Sequence, residues 1–143
     1  MSLSLEALRS GIATQILGIT GFTLSKHPPD YFGRQQNTIA HRSFAVAIGL
    51  VSAAAERQRR PTFVYVETAV LVSFAFRLRP LDAYPTDYDL ALSAEKQVIE
   101  KVLGSYAAIQ NEIQIRFVSS SRETTESNEY MLHSVEFIAR HTL

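Results

Sequence analysis

The feature that most constrains the fold is a run of alternating apolar residues over positions 62–79. Seven of the eight even-numbered positions from 64 to 78 are apolar, with Thr68 as the exception. Successive side chains of a β-strand point to opposite faces, so this period predicts one long strand with one face in the core. The other face is predicted to be solvated or shared with a partner. It includes Tyr65, Glu67, Ser73, Arg77 and Arg79.

Other patterns predict the remaining regular elements. Apolar residues at helical spacing predict one helix over residues 5–17, with Ser4 as N-cap, and a second over 87–103, capped by Thr86 or Asp87. Glu95, Lys96, Glu100 and Lys101 are predicted on the outer side of the second helix. Alternation predicts strands over 41–51, 113–117 and 131–139, with Ile113, Ile115, Phe117, Met131, Val135, Phe137 and Ala139 facing the core. This order predicts an α+β fold with a mainly antiparallel sheet and two principal helices, in a single domain over 1–143.

Three polar segments, 25–38, 53–60 and 119–128, are predicted as loops. The second contains the basic cluster Arg57, Arg59 and Arg60. This cluster fits either a solvated loop tip or a contact with an acidic surface of a partner. It lacks the interleaved aromatic residues on which bases stack, so it predicts no specific nucleic-acid partner. A nucleic-acid contact through this cluster is an alternative hypothesis, and a steep salt dependence of binding would reveal it.

Charge and composition narrow the functional classes. Lys plus Arg and Asp plus Glu number 14 each, which gives no net charge to attract nucleic acid or a membrane surface. The chain has no cysteine, which removes thiolate nucleophiles and Cys-type zinc sites. The N-terminal segment lacks the apolar block of a secretory signal, and no apolar run is long enough to cross a bilayer. We therefore expect a soluble domain without a membrane partner.

The residue types that carry chemistry form no recognisable site. His133 and His141 share a strand parity but lie about 26 Å apart along an extended chain, too far to share a metal. We interpret the histidines as surface or interface residues, and we attribute Asp82, Asp87 and Asp89 to the start of a helix. The sequence predicts no catalytic, cofactor-binding or metal-binding residues and thus no enzyme. A small enzyme with dispersed catalytic residues is an alternative.

The order of elements resembles the tail terminator proteins of long-tailed bacteriophages. The resemblance rests on the helix over 5–17, the Pro-containing segment 26–30, the long strand over 62–79, the helix over 87–103 and the closing strands that end in 130–141. It implies a ring, expected to be a hexamer, that caps the tail tube and joins it to the neck or head. The implied partners are further copies of the chain, the tail tube protein and neck or connector proteins. The implied location is the virion tail, assembled in the host cytoplasm. Another neck or head–tail joining protein is the alternative within this class.

A ring built from head-to-tail contacts needs two different surfaces on each copy. We expect the outer face of the long strand to supply one of them, through Tyr65, Glu67, Arg77 and Arg79. We expect the loops to contact axial neighbours through Arg57, Arg59, Arg60, Arg122 and Glu123.

Overall fold

A computed structural model describes residues 3–25, 40–53, 65–78, 84–105, 109, 113–125 and 129–143. The two α-helices of these parts of the chain are α1 (Leu5–Leu17) and α2 (Tyr84–Leu103). The β-strands are β1 (Thr23–Leu24), β2 (Ser43–Ala53), β3 (Tyr65–Arg77), β4 (Gln114–Thr124) and β5 (Tyr130–Thr142). The predicted loop residues 26–38 and 54–60 lie outside the described residues.

The strands form one sheet in the order β1-β2-β3-β5-β4. The short strand β1 runs parallel to β2, and every other neighbouring pair is antiparallel. The prediction of an α+β fold with a mainly antiparallel sheet and two principal helices is therefore confirmed.

The long strand is the central strand of this sheet. β3 pairs with β5 over all 13 of its residues, from Tyr65 opposite Thr142 to Arg77 opposite Tyr130. The even-numbered residues, which the sequence predicts to face the core, are buried from Val66 to Leu78. Thr68 is buried within this row because its hydroxyl forms a hydrogen bond with His141 Nε2 at 2.8 Å. A buried polar side chain is thus satisfied inside the core.

The helices begin where local chemistry favours a first turn. The Ser4 side chain accepts a hydrogen bond from the Ala7 backbone N–H at 3.1 Å, which confirms the predicted N-cap of α1. α2 begins at Tyr84, so the prediction that Thr86 or Asp87 caps it was wrong. Pro85 lies in the first turn, where its missing N–H costs no helical hydrogen bond, and Asp87 is buried inside the helix.

The segment 119–124 was predicted as part of a polar loop, and this was wrong. It is the second half of β4, which pairs antiparallel with β5 up to Thr124 opposite Met131. A bulge between Phe117 and Ser119 shifts the register. Phe117 is 42% exposed, so its predicted inward position is only partly right, although its ring contacts Phe137. Because the second half of β4 is exposed, it lacks the apolar alternation that predicts a strand over 113–117.

Candidate assembly surface and a buried charged cluster

Both helices pack on the same face of the sheet. One core cluster joins apolar side chains of α1 and α2 to the even-numbered residues of β3, among them Leu8, Ile12, Val98, Val70 and Val72. The alternate side chains therefore point to the other face, which no described helix covers. We call this second surface the open face. Its members by register are Ala45, Ala47, Ser52, Tyr65, Glu67, Ala69, Leu71, Ser73, Ala75, Arg77, Gln114, Arg116, Ser119, Ser121, Glu123, Tyr130, Leu132, Ser134, Glu136, Ile138, Arg140 and Thr142.

The open face has an apolar strip beside charged residues. Leu71, Leu132 and Ile138 are partly exposed and none belongs to the core cluster. Small residues of β2 and β3 lie beside them, and charged pairs flank them, such as Glu67 opposite Arg140. An apolar patch rimmed by polar groups is typical of a protein–protein contact surface.

A groove of about 310 Å³ crosses three strands of the sheet. Ser73 and Ser121 are both in register with Ser134, and the three serines line the groove with Leu132 and Glu123. Enzyme and ligand sites in proteins usually concentrate a few convergent polar groups in a deep apolar cleft. This groove instead lies on an open sheet surface, and Phe74, Arg122 and His133 complete its lining.

The structure places only some of the predicted interface residues on the open face. Tyr65, Glu67 and Arg77 lie there along β3, and Glu123 lies there on β4. Arg122 has the opposite parity and points toward α2, where its guanidinium contacts Glu95. The remaining predicted residues, Arg57, Arg59, Arg60 and Arg79, lie outside the described residues.

A buried charged cluster joins α2 to β4 and β5. Glu95 Oε1 accepts hydrogen bonds from Arg122 Nε at 3.0 Å and from His133 Nδ1 at 2.8 Å. Its Oε2 accepts from Arg122 Nη2 at 2.7 Å and from the Ser120 hydroxyl at 3.3 Å. These four bonds fill the acceptor sites of the carboxylate. Glu95 therefore holds three elements together and keeps no lone pair for a substrate or a metal.

The His133 ring has one tautomer that fits this cluster. A carboxylate only accepts hydrogen bonds, so Nδ1 must carry the proton that points at Glu95. Nε2 is then the unprotonated nitrogen, and it is buried without a hydrogen-bond partner among the described residues. The ring stacks on Phe74 with centroids 4.2 Å apart and an angle of 5° between the planes. Packing thus fixes the orientation that the hydrogen bond requires.

Burial and neighbouring charges set the protonation of the cluster. Burial is the main cause that lowers the pKa of His133 below 6.5, and the Arg122 charge adds to it against the opposing effect of Glu95. Burial alone would raise the pKa of Glu95, but hydrogen bonds from Arg122 and His133 outweigh it and lower that pKa below 4.5. At neutral pH the cluster is therefore an ionised Glu95 between a cationic Arg122 and a neutral His133.

We expect the pH dependence of stability to report His133. Its pKa is lower in the folded than in the unfolded chain, so the unfolded state takes up a proton first as pH falls below 6.5. The contribution of neutral His133 to the free energy of unfolding is complete above pH 6.5. It falls by up to about 1.4 kcal/mol per pH unit as the pH drops toward the pKa of His133 in the folded state. H133N keeps a donor near the Nδ1 position but cannot titrate. The free-energy difference between the wild type and H133N should therefore shrink between about pH 7.5 and about pH 5.5 in urea titrations.

That difference is the quantity to compare because His41 also contributes to the slope of the wild type. Its ring accepts a hydrogen bond from the Arg77 backbone N–H at 2.9 Å, and burial with the charges of Arg42 and Arg77 lowers its pKa. A difference that is equal at the two pH values would show that His133 does not titrate differently in the two states.

The structure corrects two interpretations of the sequence. Glu95 was predicted on the outer side of its helix, but it is 6% exposed. His133 and His141 were interpreted as surface or interface residues, but they are 2% and 3% exposed. The sequence spacing indicates that Glu95 faces the core. Glu95 follows Ala91 by four positions and precedes Val98 by three, which places all three residues on one face of the helix.

Among the described residues, no group of three or more His, Cys, Asp or Glu side chains is placed to hold a metal ion. In the same part of the chain, no helix combines the length and apolar character needed to span a membrane. The sequence matches no family model and no curated protein.

Proposed function

We propose that this chain is a structural protein of a bacteriophage tail, a terminator that forms a ring and caps the tail tube at the junction with the neck. The observation that carries the proposal is the open face, a broad apolar and charged sheet surface opposite the two helices. Such a surface suits contact with another folded protein. The resemblance in the order of elements supplies the choice of a terminator, a location in the virion tail and assembly in the host cytoplasm.

The chemistry of the polar side chains supports a structural role over a catalytic one. The Glu95 carboxylate is satisfied within the protein, because it uses its acceptor sites on Arg122, Ser120 and His133, and the unpaired Nε2 of His133 is buried. A catalytic acid or base needs a free position that reaches a substrate. Leu71, Leu132 and Ile138 are instead partly exposed on the open face, where a partner would bury them.

The direct test is the mass of the purified chain in solution, measured by light scattering over a range of concentrations. The measurement is made alone, with the tail tube protein of the same phage, and with its neck protein. We expect a closed oligomer, either alone or with tube protein present. A chain that binds neck protein but ignores tube protein would favour the other head–tail joining role. A strict monomer that ignores both would contradict the proposal.

A charge placed in the apolar strip should prevent the contact. L71D introduces a carboxylate at a partly exposed position of the open face, and burying it against a partner would leave the charge unpaired. We expect a loss of tube-protein affinity of at least about tenfold. K96Q is the matched control, because it changes the net charge equally at a side chain that is 77% exposed on α2. Equal binding by the two variants, with both folded by circular dichroism, would exclude the open face as the contact.

A further inference from the structure

Among the described strands, the sheet has two edges without a full-length neighbour, and they differ in sequence. No described strand lies beyond β4, so its outer edge is free along Gln114–Thr124. On the other side, β1 pairs with β2 only at Ser43 and Phe44, which leaves β2 free from 45 to 53 in the described part of the chain. Each free edge presents alternate backbone N–H and C=O groups that can pair with a strand of another chain.

The β2 edge lacks the charges and prolines that usually protect an edge strand, whereas β4 carries Arg116, Arg122 and Glu123. β2 contains neither a charged residue nor a proline over its 11 residues. Leu50, at its bulge, is 76% exposed, and Val118, at the bulge of β4, is 43% exposed. Proteins usually blunt an exposed edge with charges, prolines or cover, because such an edge otherwise recruits another strand. An uncharged free edge with an exposed leucine indicates that a partner strand covers it.

The strand directions favour pairing between the two different edges. β2, β3, β5 and β4 alternate in direction across the sheet, so β4 is antiparallel to β2. A copy related by rotation about an axis along the strands would therefore bring its β4 antiparallel to β2 of its neighbour. If residues 45–53 of β2 overlap fully with β4, Gly49 lies at the centre of the contact, opposite Ser119. Leu50 then lies opposite Val118. The two exposed apolar side chains at the bulges would then meet.

We infer that neighbouring copies in the ring are joined by β4 of one copy pairing antiparallel with β2 of the next, so that the sheet continues from subunit to subunit. The inference rests on the proposed function for the closed ring. A twofold contact between two β4 strands would leave every β2 edge uncovered, whereas head-to-tail pairing covers both edges. It replaces the outer face of β3, which the sequence predicts as a surface between copies, and so keeps the open face available for the tube protein.

Because the native chain has no cysteine, disulfide trapping can test this contact without background. L50C and V118C replace exposed side chains at the proposed meeting point. Directly opposed residues of antiparallel strands have Cα atoms about 4.5–5.5 Å apart, a separation that a disulfide spans. The oligomer is oxidised under the condition that forms it, either alone or with tube protein. The products are then separated on a non-reducing denaturing gel.

Head-to-tail pairing predicts a distinct product for each protein. The double variant L50C/V118C should give a ladder that ends at the ring size, and a mixture of the two single variants should stop at dimers. Each single variant alone should stay monomeric. A dimer from V118C alone would overturn the inference in favour of a β4–β4 contact. Absence of the ladder, while light scattering shows an oligomer, would overturn the edge contact and leave the terminator proposal standing. A ladder from a chain that ignores tube and neck protein would support the edge contact and contradict the terminator.

Discussion

Replacing Glu95 with alanine is expected to lower the free energy of unfolding by about 1–3 kcal/mol, since it leaves the buried Nδ1–H of His133 without an acceptor, while the Arg122 side chain is 33% exposed and can bind water. The Glu95 side chain is 8% exposed and accepts hydrogen bonds from Arg122 and His133. Without it, the guanidinium loses its counterion and the Nδ1–H of His133 loses its acceptor inside the core. Folded domains are stable by only about 5–15 kcal/mol, so this loss is a large fraction of the total. Urea unfolding at neutral pH measures it.

The chain offers a matched control on the same helix. Glu100 contacts Lys96 at 3.8 Å, with both side chains well exposed. Exposed pairs of this kind contribute about 0.5 kcal/mol or less, so E100A should unfold close to the wild-type midpoint. If E95A and E100A cost the same, water or a rearranged side chain must satisfy Arg122 and His133, and the cluster would not hold α2 against β4 and β5.

The sequence predicts the central strands well because their burial is one-sided. In β3 and β5 every second residue packs under the helices, so the apolar period appears directly in the sequence, from Val66 to Leu78 and from Met131 to Ala139. His133 and His141 fall within that period. Their inward position followed from parity, but the residue type suggested a surface role, and parity was the better guide.

The parts that the sequence did not predict depend on tertiary contacts. The buried position of Glu95 is tolerable only because β4 and β5 bring Arg122 and His133 to it, although these lie 27 and 38 positions away in sequence. The second half of β4 lacks apolar alternation because it is an exposed edge, with a bulge that breaks the period. Pairing with β5 makes it a strand, and local sequence carries little of that information.

The second large effect is expected at Phe74, where F74A should lower the free energy of unfolding by about 3–5 kcal/mol. The ring is 1% exposed, stacks on His133 and meets the edge of Phe22 with centroids 5.5 Å apart. Its removal leaves a cavity between the aromatic core and the charged cluster, and it releases the His133 ring that points at Glu95. Urea titration of the wild type, F74A and F74L gives the comparison.

F74L separates the volume of the side chain from its aromatic contacts. Leucine fills much of the space, so we expect a loss of about 1–2 kcal/mol, comparable to the aromatic contacts that it removes. A loss for F74A no larger than that for F74L would show that neighbouring side chains collapse into the cavity. Ser73 and Ala75, on either side of Phe74 in β3, belong to the open face. F74L should therefore lower the free energy of unfolding while tube-protein binding persists. L71D should weaken tube-protein binding while stability persists, because alternate side chains of β3 face the core and the open face.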